Sequence, residues 1–362
     1  MILVEDRLGS TIHDVVASME KTPGPPYPLH DSVKDKLHPD YVRFYNSTLV
    51  NLQQAHHQAI AVTRSGGQVG AGGSHPIPVG SVQDFRIQRK ESLGPAIMLR
   101  AFFPSSRPPA GSGWPVMLFY HGGGWVLGNL DSENTVCSHM CMRAQCVVIT
   151  TEYRLAPEDP FPAALEDCWE TVLWLQEWAG FNLPLDTTRV AVGGCSSGAN
   201  LATVIAQKLS TGTNDHTMNF RLCKQILIVP PTDNSATPDN NPTWKQFEHT
   251  AALSAEKMLW YRSHYLPDYD SRIDPRASPL YFPTESLTEM PSTLIVVGGC
   301  DILRHEGEEY AQKLEAAGVQ TRLEVMHGMP HPFVAMDVVL EAGRATITLI
   351  CEALISAFTA RR

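Results

Sequence analysis

The chain has 362 residues, 43% of them hydrophobic and 18% charged, with a formal net charge of −10. That length suits one large core with an accessory segment, and the composition is that of a globular chain. The acidic balance and the lack of any basic stretch exclude a broad phosphate-binding surface, so no nucleic-acid partner is expected.

In chain order, Met1–Val4 is an apolar run too short for a signal-peptide core, with no basic lead. No run of about 18 apolar residues follows, so no membrane span is expected. Residues 1–65 read as helical and polar, broken by Pro23, Pro25, Pro26 and Pro28. Between Asp31 and Ala61, Val33, Leu37, Val42, Phe44, Leu49 and Ile60 recur at roughly helical spacing. Gly66, Gly67, Gly70, Gly72 and Gly73 then form a joint, and no GK[ST] follows to make it a phosphate cradle.

Beyond the joint, Phe85–Gln88 and Ile97–Phe103 read as paired strands. Val116–Tyr120, Cys146–Thr151, Val190–Val192, Ile226–Val229 and Leu294–Val297 are short, uninterrupted and largely β-branched runs. Such runs fit strands buried on both faces of a parallel sheet. Helical patterns separate them, as with Phe161, Ala164, Leu165, Cys168, Val172 and Leu175. Alternating strands and helices predict an α/β sandwich with crossovers. Residues 231–276 interrupt this rhythm with a polar, proline-rich and then aromatic segment, read as an insertion that folds with the N-terminal helices into a lid. The eight cysteines (137, 141, 146, 168, 195, 223, 300 and 351) form neither a secreted framework nor CxxC zinc pairs, and read as buried thiols.

Four segments carry chemistry. Gly194-Cys195-Ser196-Ser197-Gly198 lies between the strand ending near Val192 and a helical run from Ala199. This is the context of a nucleophile elbow, a turn so sharp that its flanks must be small. The bland reading of the pattern is a Gly/Ser turn. Upstream, His121-Gly122-Gly123-Gly124 follows a buried strand, where glycines let backbone N–H groups face a carbonyl oxygen. A dinucleotide-type loop would need glycine at Leu127. Asp301 stands just past the strand Leu294–Val297, at the edge where open α/β sheets gather their sites, although an acid there could merely cap the next helix. His327 and His331 compete as the base, since one sits at a strand end and the other in a Gly/Pro-rich loop. Gly328 and Pro330 argue against a helical metal pair.

Together these segments resemble the hormone-sensitive-lipase branch of the α/β-hydrolases. The likeness covers most of residues 80–360 and rests on five separated signatures. They are His121–Trp125; Tyr153–Glu158 with Phe161–Ala164; Gly194–Gly198; Asp301–Arg304; and Gly328–Phe333. The resemblance implies an α/β-hydrolase fold, mostly parallel and flanked by helices. It also implies a helical cap from residues 1–75 and 231–276 over a core of 76–230 and 277–362. It selects His331 over His327 and implies an ester hydrolase without metal or cofactor. Two departures stand out: the family usually has Asp before the nucleophile and Ala after it, where this chain has Cys195 and Ser197. Losing the Asp removes a hydrogen-bond acceptor beside the elbow.

The expectation is therefore a serine esterase in which Ser196 attacks, His331 transfers the proton and Asp301 orients His331. Gly122, Gly123 and Ser197 are the expected oxyanion donors, and Gly124 is assigned to loop shape. Trp125, Trp260 and Tyr261 are expected pocket walls. The substrate would be a short to medium acyl ester, and the Ser-Ser-Gly form resembles relatives in secondary metabolism. A soluble, cytoplasmic chain is expected, and a dimer through an edge strand or the last helix is compatible with the architecture. Two rivals stand beside this reading: a same-fold enzyme using the triad for elimination or cyclisation, and an inactive ligand-binding protein.

Overall fold

The computed structural model describes residues 24–65, 71–211 and 222–360. The N-terminal stretch with Pro23, and Gly66, Gly67 and Gly70 of the joint, lie outside the described residues. Eight strands form one sheet: β1 Ser81–Ile87, β2 Ile97–Phe103, β3 Trp114–Tyr120, β4 Val147–Glu152, β5 Leu185–Cys195, β6 Leu222–Ile228, β7 Thr293–Gly298 and β8 Thr321–Met326. Their order is β1-β2-β4-β3-β5-β6-β7-β8. β2 pairs antiparallel with both β1 and β4, and every later pairing is parallel.

Burial explains the strand runs. All seven residues of β3 and all six of β7 are buried, whereas edge strand β1 is mostly exposed. Each large apolar side chain of β3 contributes roughly 1.5–3 kcal/mol by leaving water. β5 begins at Leu185, earlier than the apolar run at Val190, and its pairing with β3 shifts register between Pro115 and Val116. The polar Asp186–Arg189 segment hid that extension, because Asp186 is turned onto Thr188 and Arg189 rather than presented in an alternating pattern.

The helical spacing read between Asp31 and Ala61 corresponds to a series of short pieces. Asp31–Lys34, α1 Pro39–Ser47 and Ile60–Arg64 are helical, with two 3-10 turns between them. Proline at position 39 forces His38 into extended backbone, so no helix can run through it. Five longer helices pack around the sheet: α2 Asn134–Ala144, α3 Ala163–Trp174, α4 Ser197–Thr211, α6 Arg304–Ala316 and α7 Glu341–Thr359. α7 is long and apolar enough to cross a membrane by length and composition. Its buried residues Gly343, Ile347, Ile350, Leu354 and Phe358 recur at helical spacing and turn one stripe into the core.

Residues 231–276 carry helix α5, Ala255–Tyr265, and are tied to α4 at both flanks. The Asn200 amide donates to the carbonyls of Pro231 (2.9 Å) and Ala277 (2.8 Å). The segment Ile60–Arg64 closes against the loop after β3, where Arg64 donates to the carbonyls of Val126 and Ala156 and pairs with Glu158.

Candidate active site

The candidate residues all follow the C-terminal ends of parallel strands: the glycine loop after β3, Ser196 after β5, Asp301 after β7 and His331 after β8. Adjacent parallel strands converge there on one edge of the sheet, which is why residues far apart in sequence meet. The β3–β5 neighbour pair places the glycine loop beside the elbow.

The elbow is held by close backbone approach. A Cβ on Gly198 would come within 2.0 Å of the Tyr120 carbonyl oxygen, so only glycine lets α4 start against the end of β3. Ser196 itself has φ +53°, the left-handed region, and its N–H donates to the Ile228 carbonyl at 2.8 Å. That bond prolongs the β5–β6 ladder through the nucleophile and fixes a backbone that a serine would otherwise avoid.

Ser196 Oγ lies 2.9 Å from His331 Nε2, and His331 Nδ1 lies 2.8 Å from Asp301 Oδ2. The other Asp301 oxygen accepts the Leu303 N–H at 3.0 Å. Thus a local turn contact and the histidine contact coexist on one carboxylate, while α6 itself has no side-chain cap. All three side chains are buried. His327 is exposed and takes no part.

The donor set differs from expectation at one position. The Gly122 N–H is already given to the Glu133 carboxyl group, at 3.0 and 3.2 Å from its two oxygens. Gly122 is therefore not available to an oxyanion. No acceptor among the described residues takes the N–H of Gly123, Gly124 or Ser197. Gly123 and Gly124 line the cavity above Ser196, and Ser197 opens α4, where the helix dipole adds positive potential. A Cβ on Gly124 would strike the Tyr261 ring at 2.4 Å.

Glu133 was not singled out from sequence. It stands at the N-terminal boundary of α2, an ordinary place for an acid, and nothing local points it at the elbow. In the fold it accepts the Gly122 N–H beside the elbow and lines the cavity next to Cys195. Burial pushes the Glu133 pKa up to about 8. Burial likewise pushes the Cys195 thiol well above its ordinary value, so it is a protonated, inert group.

The cavity over Ser196 measures about 270 Å³. Trp125 and Tyr261 line it as expected, with Met258, Leu253 and Lys257 beside them. Trp260 does not line it. Residues 257, 258 and 261 share one face of α5, and Trp260 turns away to meet Tyr261 and His264 edge-on, with centroids 5.0 and 4.8 Å apart. Trp125 is anchored by stacking on Tyr265, 4.4 Å between centroids and 4° between planes. A wider groove of about 1010 Å³ lies by the starts of β5, β7 and β8, the opposite sheet edge from Ser196.

A parallel sheet with these groups at its C-terminal edge is the architecture of an α/β-hydrolase. The chain belongs to that family: its alpha/beta hydrolase fold model matches residues 117–335. The chain is 43% identical over 336 residues to an AB hydrolase superfamily protein of Schizosaccharomyces pombe, covering 91% of this chain and 97% of that one. It is 34% identical to the ethyl acetate hydrolase of Pseudomonas putida over 261 residues, covering 72% of this chain and 79% of the relative. Among solved structures, an esterase of Pyrobaculum calidifontis superimposes with a TM-score of 0.75 at 28% identity, covering 90% of this chain and 100% of that one.

Proposed function

We propose that the protein is a serine esterase that cleaves short to medium acyl carboxylic esters through an acyl-enzyme. The observation that carries this reading is the chain Ser196 Oγ, His331 Nε2, Asp301 Oδ2, at 2.9 and 2.8 Å, opening onto a cavity with unpaired amides. His331 takes the Ser196 proton as Oγ attacks the ester carbonyl, and Asp301 holds the ring and stabilises its cationic form. The N–H groups of Gly123, Gly124 and Ser197 receive the developing oxyanion, and losing one such donor costs roughly 3 kcal/mol of barrier. The protonated His331 then returns its proton to the leaving alcohol, and water repeats the sequence on the acyl-enzyme.

A cavity just below the roughly 300–1,000 Å³ range of ligand pockets favours a short acyl arm. Residues 231–276, with the N-terminal segment packed behind them, act as the cap. The relatives named as ethyl acetate hydrolase and esterase point to the same chemistry. Purified protein and a Ser196→Ala variant, assayed on p-nitrophenyl esters from acetyl to decanoyl, test the reading. The expected result is turnover of the shorter esters that falls about a thousandfold or more in the variant. Equal activity in the two proteins would remove Ser196 from the mechanism.

A further inference from the structure

The cap side of the cavity carries a charge that ester cleavage, as described, does not use. Lys257 lies in the first turn of α5, its N–H accepted by the capping Ser254 hydroxyl at 3.2 Å. The side chain is only partly exposed and lines the cavity that holds Ser196 and His331. Its ammonium donates to the Ala252 carbonyl at 3.1 Å, and Ala252 lines the same cavity. No carboxylate among the described residues lies within ion-pair reach of it. The neighbouring Glu256 faces His56 and His57 instead.

A packing role explains this arrangement poorly. A lysine that merely covered apolar surface would carry its ammonium out to water along its flexible stem. Here the ammonium turns back to a carbonyl on the cavity wall. It also sits in the first turn of an 11-residue helix, where the macrodipole disfavours a cation and favours an anion. Burial lowers its pKa to about 8, which still leaves it mainly charged at neutral pH. One of its three donors is used by Ala252, which leaves two for a ligand. The cavity's own acid, Glu133, is held mainly neutral at that pH and does not repel an incoming anion.

We propose that Lys257 forms an anion subsite of this cavity and that the preferred substrates are esters bearing a carboxylate on one arm. A single ammonium matches a single carboxylate, and the small cavity keeps that group close to the scissile carbonyl. The proposal rests on the reading of Ser196 as the esterase nucleophile.

Two pairs of esters of matched shape test it. On the acyl side, mono-p-nitrophenyl glutarate is compared with p-nitrophenyl valerate. On the alcohol side, 3-acetoxybenzoate is compared with phenyl acetate. The readout is the ratio of kcat/KM, charged over neutral, within each protein, so a general loss of folded enzyme cancels. The expected ratio in the parent is about tenfold or more for one of the two pairs, the size of a charge-assisted hydrogen bond. Lys257→Met should bring that ratio to one or below, and Lys257→Arg should retain most of it. Neutral esters turned over faster than both charged partners, or a ratio indifferent to Lys257→Met, would overturn the subsite while leaving the esterase reading standing. No turnover of any of the four would overturn both.

Discussion

The Gly122 N–H rests on the half-buried Glu133 carboxyl group, so Glu133 is a positioning residue for the loop that carries Gly123 and Gly124. Glu133→Ala leaves the Gly122 N–H without its acceptor and lets the loop shift. A kcat loss of about tenfold to a hundredfold is expected, with KM much less affected, because displaced donors act mainly on the transition state. Glu133→Gln keeps an acceptor for Gly122 and should restore most of kcat. Steady-state kinetics on one p-nitrophenyl ester separates the two variants. An unchanged kcat in Glu133→Ala would remove the positioning role. Ser196 and Asp301 stood out in the sequence because each closely follows a strand whose apolar run is plain, whereas the residues left His331 and His327 open and only the family resemblance chose between them. Glu133 and Lys257 were not, because their meaning comes from segments that meet only in three dimensions. The same limit applied to Trp260, since a helix's apolar residues do not announce which face meets the cavity.

Among the elements, the loop before α3 and the start of α3 are joined through Asp167. It is 1% exposed and accepts from Arg89 Nη1 at 2.6 Å, the Arg154 N–H at 2.8 Å and the Arg154 guanidinium. Removing one partner from such a buried network strands the others, at a cost of roughly 3–5 kcal/mol. Asp167→Ala is therefore expected to lower the denaturant midpoint by that equivalent, read by urea unfolding with an unchanged m-value. A loss below about 1 kcal/mol would mean the ion pairs are individually replaceable. The Tyr153–Ala164 signature was legible as a family mark, whereas its structural reason, two arginines around one acid, was not. Strand identity was readable from uninterrupted apolar runs. The polar start of β5 and the break at Pro39 were not, because side-chain turns and proline sterics there outweigh hydrophobic periodicity.

For the whole molecule, the half-buried Glu133 and the buried Glu306 set an unusual pH response. Burial raises Glu133 and Glu306 to about 8 from an ordinary 4.5. Each therefore holds its proton more tightly folded than unfolded, and between about pH 4.5 and 8 the native state carries the extra protons. Their contribution to stability falls as pH rises through that window and levels off above it. Melting temperatures from pH 5 to 9 should show a shallower decline in Glu133→Gln than in the parent. Identical slopes would place the Glu133 proton elsewhere. The fold class was the most legible property of all, since five ordered signatures and alternating strand and helix runs leave few topologies open.

The central claim, that Ser196 is a nucleophile activated by His331, is tested most directly by covalent labelling. The parent is incubated with diethyl p-nitrophenyl phosphate, followed by intact-mass measurement and peptide mapping. The account predicts one diethylphosphoryl adduct, located on Ser196, with loss of esterase activity in step with labelling and no adduct in Ser196→Ala. An adduct on Cys195 or another residue, or full activity after stoichiometric labelling of Ser196, would contradict it.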